Sequence, residues 1–272
     1  MLQRTDDGLA YEDGRLELAD GRVLAWRWWG ESGKPILRFQ GTPGSRLFRN
    51  LDPRIQQELG VRYLMADRPG YGASTRKPGR GIADFAEDIR ALLDAQGLDR
   101  VPVMGTSGGG PHALAMAAVL PGRISAVSVI VGAAPLAAEE VARQVGVNAE
   151  GYALAEKGWE PLHEFLAGIR LRMLGEGMAG VLHDAPEADR AIMRNPAWQR
   201  LSRENVAEAL RQGAEGWTDE ALALHGDWDF DPSLVTAGVT WWHGDDDQNA
   251  PISAARRALK KLPHAELREW HG

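Results

Sequence analysis

The strongest chemical signal in this 272-residue chain is a serine set among glycines, in Val101-Pro-Val-Met-Gly-Thr-Ser-Gly-Gly-Gly-Pro111. The pattern is Gly-x-Ser-x-Gly, with an apolar run before it and an Ala-rich, breaker-free stretch after it. A strand passing through a tight turn into a helix would hold Ser107 in strained backbone geometry, and the residues two before and two after must then be small. Gly105 and Gly109 meet that need. The helix that follows aims its unpaired N–H groups and positive dipole end at the turn, which favours an anion forming beside Ser107. A phosphate-cradling reading fits less well: no Lys-Ser or Lys-Thr follows the glycines, and Gly-x-Gly-x-x-Gly is not matched.

A serine that attacks a carbonyl needs donors for the oxyanion, one of them from a loop after a neighbouring strand. Phe39-Gln-Gly-Thr-Pro-Gly-Ser45 supplies such a loop. Pro43 has no N–H, so Thr42 or Gly41 is the available donor there, with Gly108 supplying the other. The third segment is Trp241-Trp-His-Gly-Asp-Asp-Asp-Gln-Asn-Ala-Pro251, a strand running into an acidic loop. One of its carboxylates could orient a histidine and stabilise the imidazolium. The three adjacent aspartates lack the alternate spacing of a calcium loop, so no metal is expected.

These segments need a scaffold. Arg22 to Trp29 and Ile36 to Phe39 read as two neighbouring strands, followed by a third at Val61 to Ala66 and a helix whose Ile82, Phe85, Ile89, Leu92 and Leu93 share a face. Val101 to Met104, Pro111 to Leu120 and Ile124 to Val131 read as strand, helix and strand. Apolar strands alternating with helices predict a mostly parallel sheet covered on both faces. From about Pro135 the chain turns helical, with Leu162, Phe165, Leu166, Ile169 and Met173 on one face and further helices near 205–212 and 219–224. Trp159, Met173, Met178, Trp198 and Trp217 in this stretch suggest core packing first and an apolar pocket second. Val239 to Trp242, an amphipathic Ile252 to Leu262 and a last strand at Leu267 to Trp270 resume the sheet pattern.

Gly41-Thr-Pro-Gly-Ser45, Asp67-Arg-Pro-Gly-Tyr-Gly72, Gly105-Thr-Ser-Gly-Gly109 and Gly244-Asp-Asp-Asp-Gln-Asn-Ala-Pro251, in this order and nearly spanning the chain, resemble the α/β-hydrolase fold superfamily. The resemblance implies an α/β core over 1–134 and 226–272, with a helical cap over 135–225. It implies Ser107 as nucleophile, the N–H groups of Thr42 and Gly108 as oxyanion hole, and Asp247 as the triad acid. The Asp67 to Gly72 block becomes a structural turn near the site. Members that open epoxides or remove halides use a carboxylate nucleophile, so a serine at 107 argues against both. Two departures follow. Gln40-Gly41 stands where relatives often carry His-Gly, which implies a changed hydrogen bond near the loop. The family's histidine follows the last strand in a Gly-His pair, whereas this sequence ends Glu269-Trp-His-Gly272. Either His271 bends back to Ser107 or the triad histidine lies beyond Gly272. The other six, His112, His163, His183, His225, His243 and His264, are expected to be packed or solvated.

Composition narrows the rest. The chain has no cysteine, so disulfides, thiolate metal sites and a cysteine nucleophile are excluded. Its 31 basic against 38 acidic residues give a net charge of -7, which disfavours nucleic acid or an anionic membrane as partner. The polar, acidic start Met-Leu-Gln-Arg-Thr-Asp-Asp does not look like a signal peptide, so the cytoplasm is the expected location. The expected activity is hydrolysis of a small carboxylic ester or related acyl compound, with no cofactor. The alternatives are an aminopeptidase similar to proline iminopeptidases, with Glu139, Glu140, Glu160 or Glu164 holding the substrate amine, and a noncatalytic binding or signalling protein of the same fold.

Overall fold

The computed structural model describes residues 1–177 and 187–271. Nine strands form one sheet: β1 (Gln3–Arg4), β2 (Ala10–Glu17), β3 (Val23–Trp29), β4 (Lys34–Phe39), β5 (Val61–Ala66), β6 (Val101–Thr106), β7 (Ile124–Ile130), β8 (Gly238–Gly244) and β9 (Ala265–Trp270). Their order is β1-β2-β3-β5-β4-β6-β7-β8-β9. The pairings from β5 through β9 are parallel, and β1, β2 and β3 join antiparallel at one edge.

Alternate residues of β5 show why the sheet needs cover on both sides. Leu64 and Ala66 enter the main core with Leu37, Phe39 and Val103, whereas Tyr63 and Met65 pack with Leu9 and Trp29. The main core is closed by α2 (Phe85–Ala95), α3 (Gly109–Val119) and α10 (Ile252–Leu259). α3 is apolar all round and nearly wholly buried, as its Ala-rich sequence requires.

Two expectations are corrected. β3 and β4 are not neighbours, because β5 lies between them, antiparallel to β3 and parallel to β4. The short turn between β3 and β4 suggests a hairpin, but a parallel β4–β5 pair requires a crossover, here through α1 (Arg54–Glu58). β2 is absent from the sequence reading because its Glu, Asp and central glycine resemble a loop. Gly14 is there to admit Trp26, whose Cζ2 would lie 2.1 Å from a Cβ at that position.

Between β7 and β8 come α4 (Ala138–Val141), α5 (Gly146–Ala155), α6 (Trp159–Glu176), α7 (Glu187–Met193), α8 (Pro196–Ala209) and α9 (Glu215–His225). Leu162, Leu166, Ile169 and Met173 of α6 bury one face against Val206, Leu210 and Trp217, and Tyr71 of the core enters this cluster. α8 starts cleanly: Asn195 accepts the N–H groups of Ala197 and Trp198, and Pro196 occupies the first turn. Met178 and His183 lie outside the described residues. No described helix is long and apolar enough to cross a membrane.

Glu140 fastens α4 to the core helix α10. It pairs with Arg257 Nη1 at 2.7 Å and also accepts from Ser253 and from Ala137 N–H. The Arg257 hydrogen bonds, chiefly, hold its carboxyl at about 2, below the usual 4.5. A depressed folded-state value stabilises the fold above the unfolded value, and that contribution disappears as pH falls from about 4.5 to about 2. Glu140→Gln should therefore be less stable than the parent at neutral pH yet lose less melting temperature between pH 5 and pH 2.5. Circular dichroism melts across that range test this, and parallel curves for both proteins would contradict it.

Candidate active site

Ser107 sits between the end of β6 and the start of α3 with φ +52°, a left-handed conformation that a side chain adopts only under strain. Hydrogen bonds hold it there: its N–H donates to Ile130 O at 3.0 Å, and its carbonyl accepts from Gly110 N–H at 2.8 Å and Ala133 N–H at 3.0 Å. The flanking glycines are enforced by backbone. A Cβ on Gly105 would lie 2.2 Å from Gly109 O, and one on Gly109 would lie 2.5 Å from Phe39 O.

The Gly41-Thr42 loop after β4 closes against this turn. A Cβ on Gly41 would fall 3.3 Å from Ser107 Cβ and 3.8 Å from its Oγ, and one on Gly108 would lie 2.2 Å from Thr42 Oγ1. Neither Thr42 N–H nor Gly108 N–H donates to another group among the described residues. Ser107, Thr42 and Gly41 line a cavity of about 390 Å³, walled further by Phe48, Trp198 and Leu201. Trp198 thus serves the cavity, while Met173 and Trp217 belong to the helical cluster. A larger hollow of about 470 Å³ between the N-terminal strands and α8 excludes Ser107, and its Arg27 and Arg49 are engaged by Asp13 and Asp7.

Behind the loop lies a fully buried polar group that the sequence reading does not identify. Arg68, from the Asp67 to Gly72 block, donates from Nη1 to Gln40 O at 2.7 Å and from Nη2 to Gly41 O at 2.9 Å. Glu220 of α9 is its counter-ion, with Oε1 2.5 Å from Arg68 Nε. Glu220 also accepts from Thr42 Oγ1 at 3.1 Å and from His112 Nε2 at 2.8 Å, and Arg80 stands 3.6 Å away. Burial lowers the His112 value to about 4, so its ring is neutral near pH 7. Glu220 resists burial's upward push because Arg68, the His112 hydrogen bond and Arg80 hold its carboxyl well below the ordinary range. Gln40 leaves its buried side-chain amide without a partner among the described residues. Asp67 is structural as expected: it accepts from Arg46 N–H at 2.7 Å and Ala73 N–H at 3.1 Å, and a Cβ on Gly72 would strike it at 2.0 Å.

The acidic loop stands apart from Ser107 in its bonding. Asp247 Oδ1 accepts the N–H groups of Asn249 and Ala250, each at 2.9 Å. His243 is buried beneath the loop, accepting from Trp241 Nε1 at 3.0 Å and donating from Nε2 to Ala250 O at 2.6 Å, which places its proton on Nε2. His271 does not meet Asp247. Its Nδ1 bonds Asp245 at 2.8 Å with the ring 80% exposed, and that bond raises its pKa. Among the described residues no histidine ring hydrogen-bonds Ser107. The structure therefore brings together Ser107, Thr42 and Gly108 and leaves Asp247 and His271 in separate contacts. Of the insert carboxylates, Glu140 is committed to Arg257, while Glu139, Glu160 and Glu164 are exposed.

Comparison with known proteins agrees with this fold. Residues 34–161 match a family described as alpha/beta hydrolase fold. A 2-hydroxy-6-oxo-6-phenylhexa-2,4-dienoate hydrolase from Comamonas testosteroni is 29% identical over 251 residues, covering 88% of this chain and 79% of the relative. A 2-hydroxy-6-oxononadienedioate/2-hydroxy-6-oxononatrienedioate hydrolase 1 from Dechloromonas aromatica is 26% identical over 80% of this chain and 71% of its own. A thermophilic esterase from Thermogutta terrifontis superposes with a TM-score of 0.63 at 19% identity, covering 96% of this chain and 90% of that one.

The glycine contacts generate a paired test. Gly105→Ala forces a Cβ onto backbone that cannot move aside and should cost about 1–3 kcal/mol or more in urea denaturation. Gly151→Ala in α5, where a Cβ meets nothing within 4 Å, should be neutral or stabilising by about 0.5–1 kcal/mol. Equal effects at both positions would refute the account of the turn.

Proposed function

The chain belongs to the α/β-hydrolase fold superfamily and is a hydrolase, and from this we propose that it cleaves a small carboxylic ester or related acyl compound through an acyl-enzyme on Ser107. One observation carries the reading. A serine held in a left-handed turn lines a cavity together with Thr42, and neither the N–H of Thr42 nor that of Gly108, the next residue after the serine, has a partner among the described residues. Ser107 Oγ bonds the carbonyl carbon, a histidine accepts the hydroxyl proton, and the negative charge moves to the carbonyl oxygen beside those N–H groups. Collapse expels the alcohol, which takes the proton, and water then releases the acid by the same path. Asp247 would orient the histidine. A cavity of about 390 Å³ suits a small acyl group. The aminopeptidase alternative loses support, since Glu140, one carboxylate that could hold a substrate amine, is already neutralised by Arg257.

A second reading, a ligand-binding protein without turnover, draws on one fact: none of the described histidines hydrogen-bonds Ser107. Two assays separate the readings. The chain should hydrolyse p-nitrophenyl esters and take a fluorophosphonate label that Ser107→Ala abolishes. Intact, folded protein that neither labels nor turns over esters would establish the binding reading, and cleavage of aminoacyl-naphthylamides alone would establish the peptidase.

A further inference from the structure

We propose that Arg68, locked by Glu220 of the inserted helix α9, is the positioning residue of the oxyanion hole, aiming Thr42 N–H by gripping the carbonyl of the same peptide unit. The inference rests on the serine-hydrolase reading and adds to it a part played by the insert. Its basis is the planarity of the peptide. Gly41 C=O and Thr42 N–H belong to one rigid trans unit, so they point in opposite directions. Arg68 Nη2 holds Gly41 O at 2.9 Å while Nη1 holds Gln40 O at 2.7 Å. With two successive carbonyls drawn to one guanidinium, Thr42 N–H faces away from it, and Gly41, the other half of that unit, lies against Ser107, whose Cβ would stand 3.3 Å from a Cβ at position 41.

A guanidinium can do this only if it is itself fixed. Arg68 is wholly buried over the Tyr71 ring, 5.3 Å from its centroid, and its charge is balanced by Glu220, also wholly buried. Glu220 holds the loop a second time through Thr42 Oγ1, which also accepts from Arg68 Nη2 at 3.2 Å. The loop is thus pinned at two carbonyls and one hydroxyl by a pair whose acid comes from 152 residues away in the insert. A lysine at 68 keeps the charge but lacks the planar fork that engages both carbonyls.

The test compares Arg68→Lys and Glu220→Gln with the parent on a p-nitrophenyl ester, at a temperature where circular dichroism shows all three folded. Loss of an oxyanion donor typically costs about 100-fold or more, so a misaimed one should lower kcat about 10-fold to 100-fold. KM should stay within about 3-fold. The inhibition constant of a trifluoromethyl ketone, whose serine adduct bears the same oxyanion, should rise in proportion to KM/kcat. A merely structural role would not make the two track. Unchanged kcat in folded Arg68→Lys, or a fall in kcat with no change in ketone affinity, overturns the proposal. If neither variant folds, Thr42→Val, which leaves the ion pair whole, carries the same readouts: a several-fold loss with matching ketone weakening supports it, and parent-like kinetics overturn it. A parent that neither labels at Ser107 nor hydrolyses esters removes the serine-hydrolase reading and this proposal together, whereas an active parent with unaffected variants removes only the positioning role.

Discussion

Everything at this site depends on how closely three backbones can approach at the crest of the sheet. The end of β6, the start of α3 and the loop after β4 are separated by less than the room a methyl group needs: Gly105 abuts Gly109 O, Gly109 abuts Phe39 O and Gln40 O, and Gly108 abuts Thr42. That approach brings Gly41 against Ser107 and Gly108 against Thr42. It also forces Ser107 into the left-handed region, a conformation costing about 1–3 kcal/mol that persists only where the surroundings over-determine it. Here they do, through the three backbone hydrogen bonds that fix Ser107 to β7, to Ala133 in the segment after it and to α3.

The insert is joined to this crest by polar contacts that its own apolar cluster does not predict. Asn205 of α8 accepts Ser45 N–H at 2.9 Å, Glu208 pairs with Arg46 at 2.6 Å, and Glu220 of α9 reaches Arg68 and Thr42. All three target the Gln40 to Arg46 loop or the arginine beneath it. Burying such groups is costly, and replacing a buried ion pair by apolar side chains is often neutral or stabilising. Removing one partner of the pair is another matter, costing about 3–5 kcal/mol because the remaining charge is stranded. The interaction therefore contributes less to overall stability than to specifying one arrangement of loop and helix.

The sequence makes the crest legible and leaves its support hidden, for a physical reason. Collisions with neighbouring backbone at Gly105 and Gly109, and with the Thr42 side chain at Gly108, leave glycine as the residue that fits, so the three report the turn through their types and spacing. The helix face of α6 is legible for a similar reason, since Leu162, Leu166, Ile169 and Met173 must recur at the helical period to share a buried face. Glu220 carries no such mark. It stands in an ordinary run of Glu, Ala and Leu, and only the fold brings it to Arg68. β2 is hidden because its outward face is charged and its centre is Gly14, which exists to receive Trp26. The placing of β5 between β3 and β4 is likewise a property of crossover topology, which local pattern cannot report.

The acidic loop shows how the two kinds of information divide. Its position after β8 follows from the alternation of strands and helices, and His243, wholly buried at the end of that strand, anchors it through Ala250 O. Within the loop the three aspartates look equivalent in sequence, but their surroundings differ. Asp247 is partly buried, caps two backbone N–H groups through Oδ1 and holds Oδ2 3.8 Å from the buried His243 Nε2, whereas Asp245 is exposed and takes His271. A carboxylate that must orient an imidazole needs the rigidity of the first environment, because a mobile acceptor would give up in side-chain entropy much of what it gains in attraction. On that criterion Asp247 is the more firmly fixed of the two carboxylates, and the His271–Asp245 contact is a solvated surface pair.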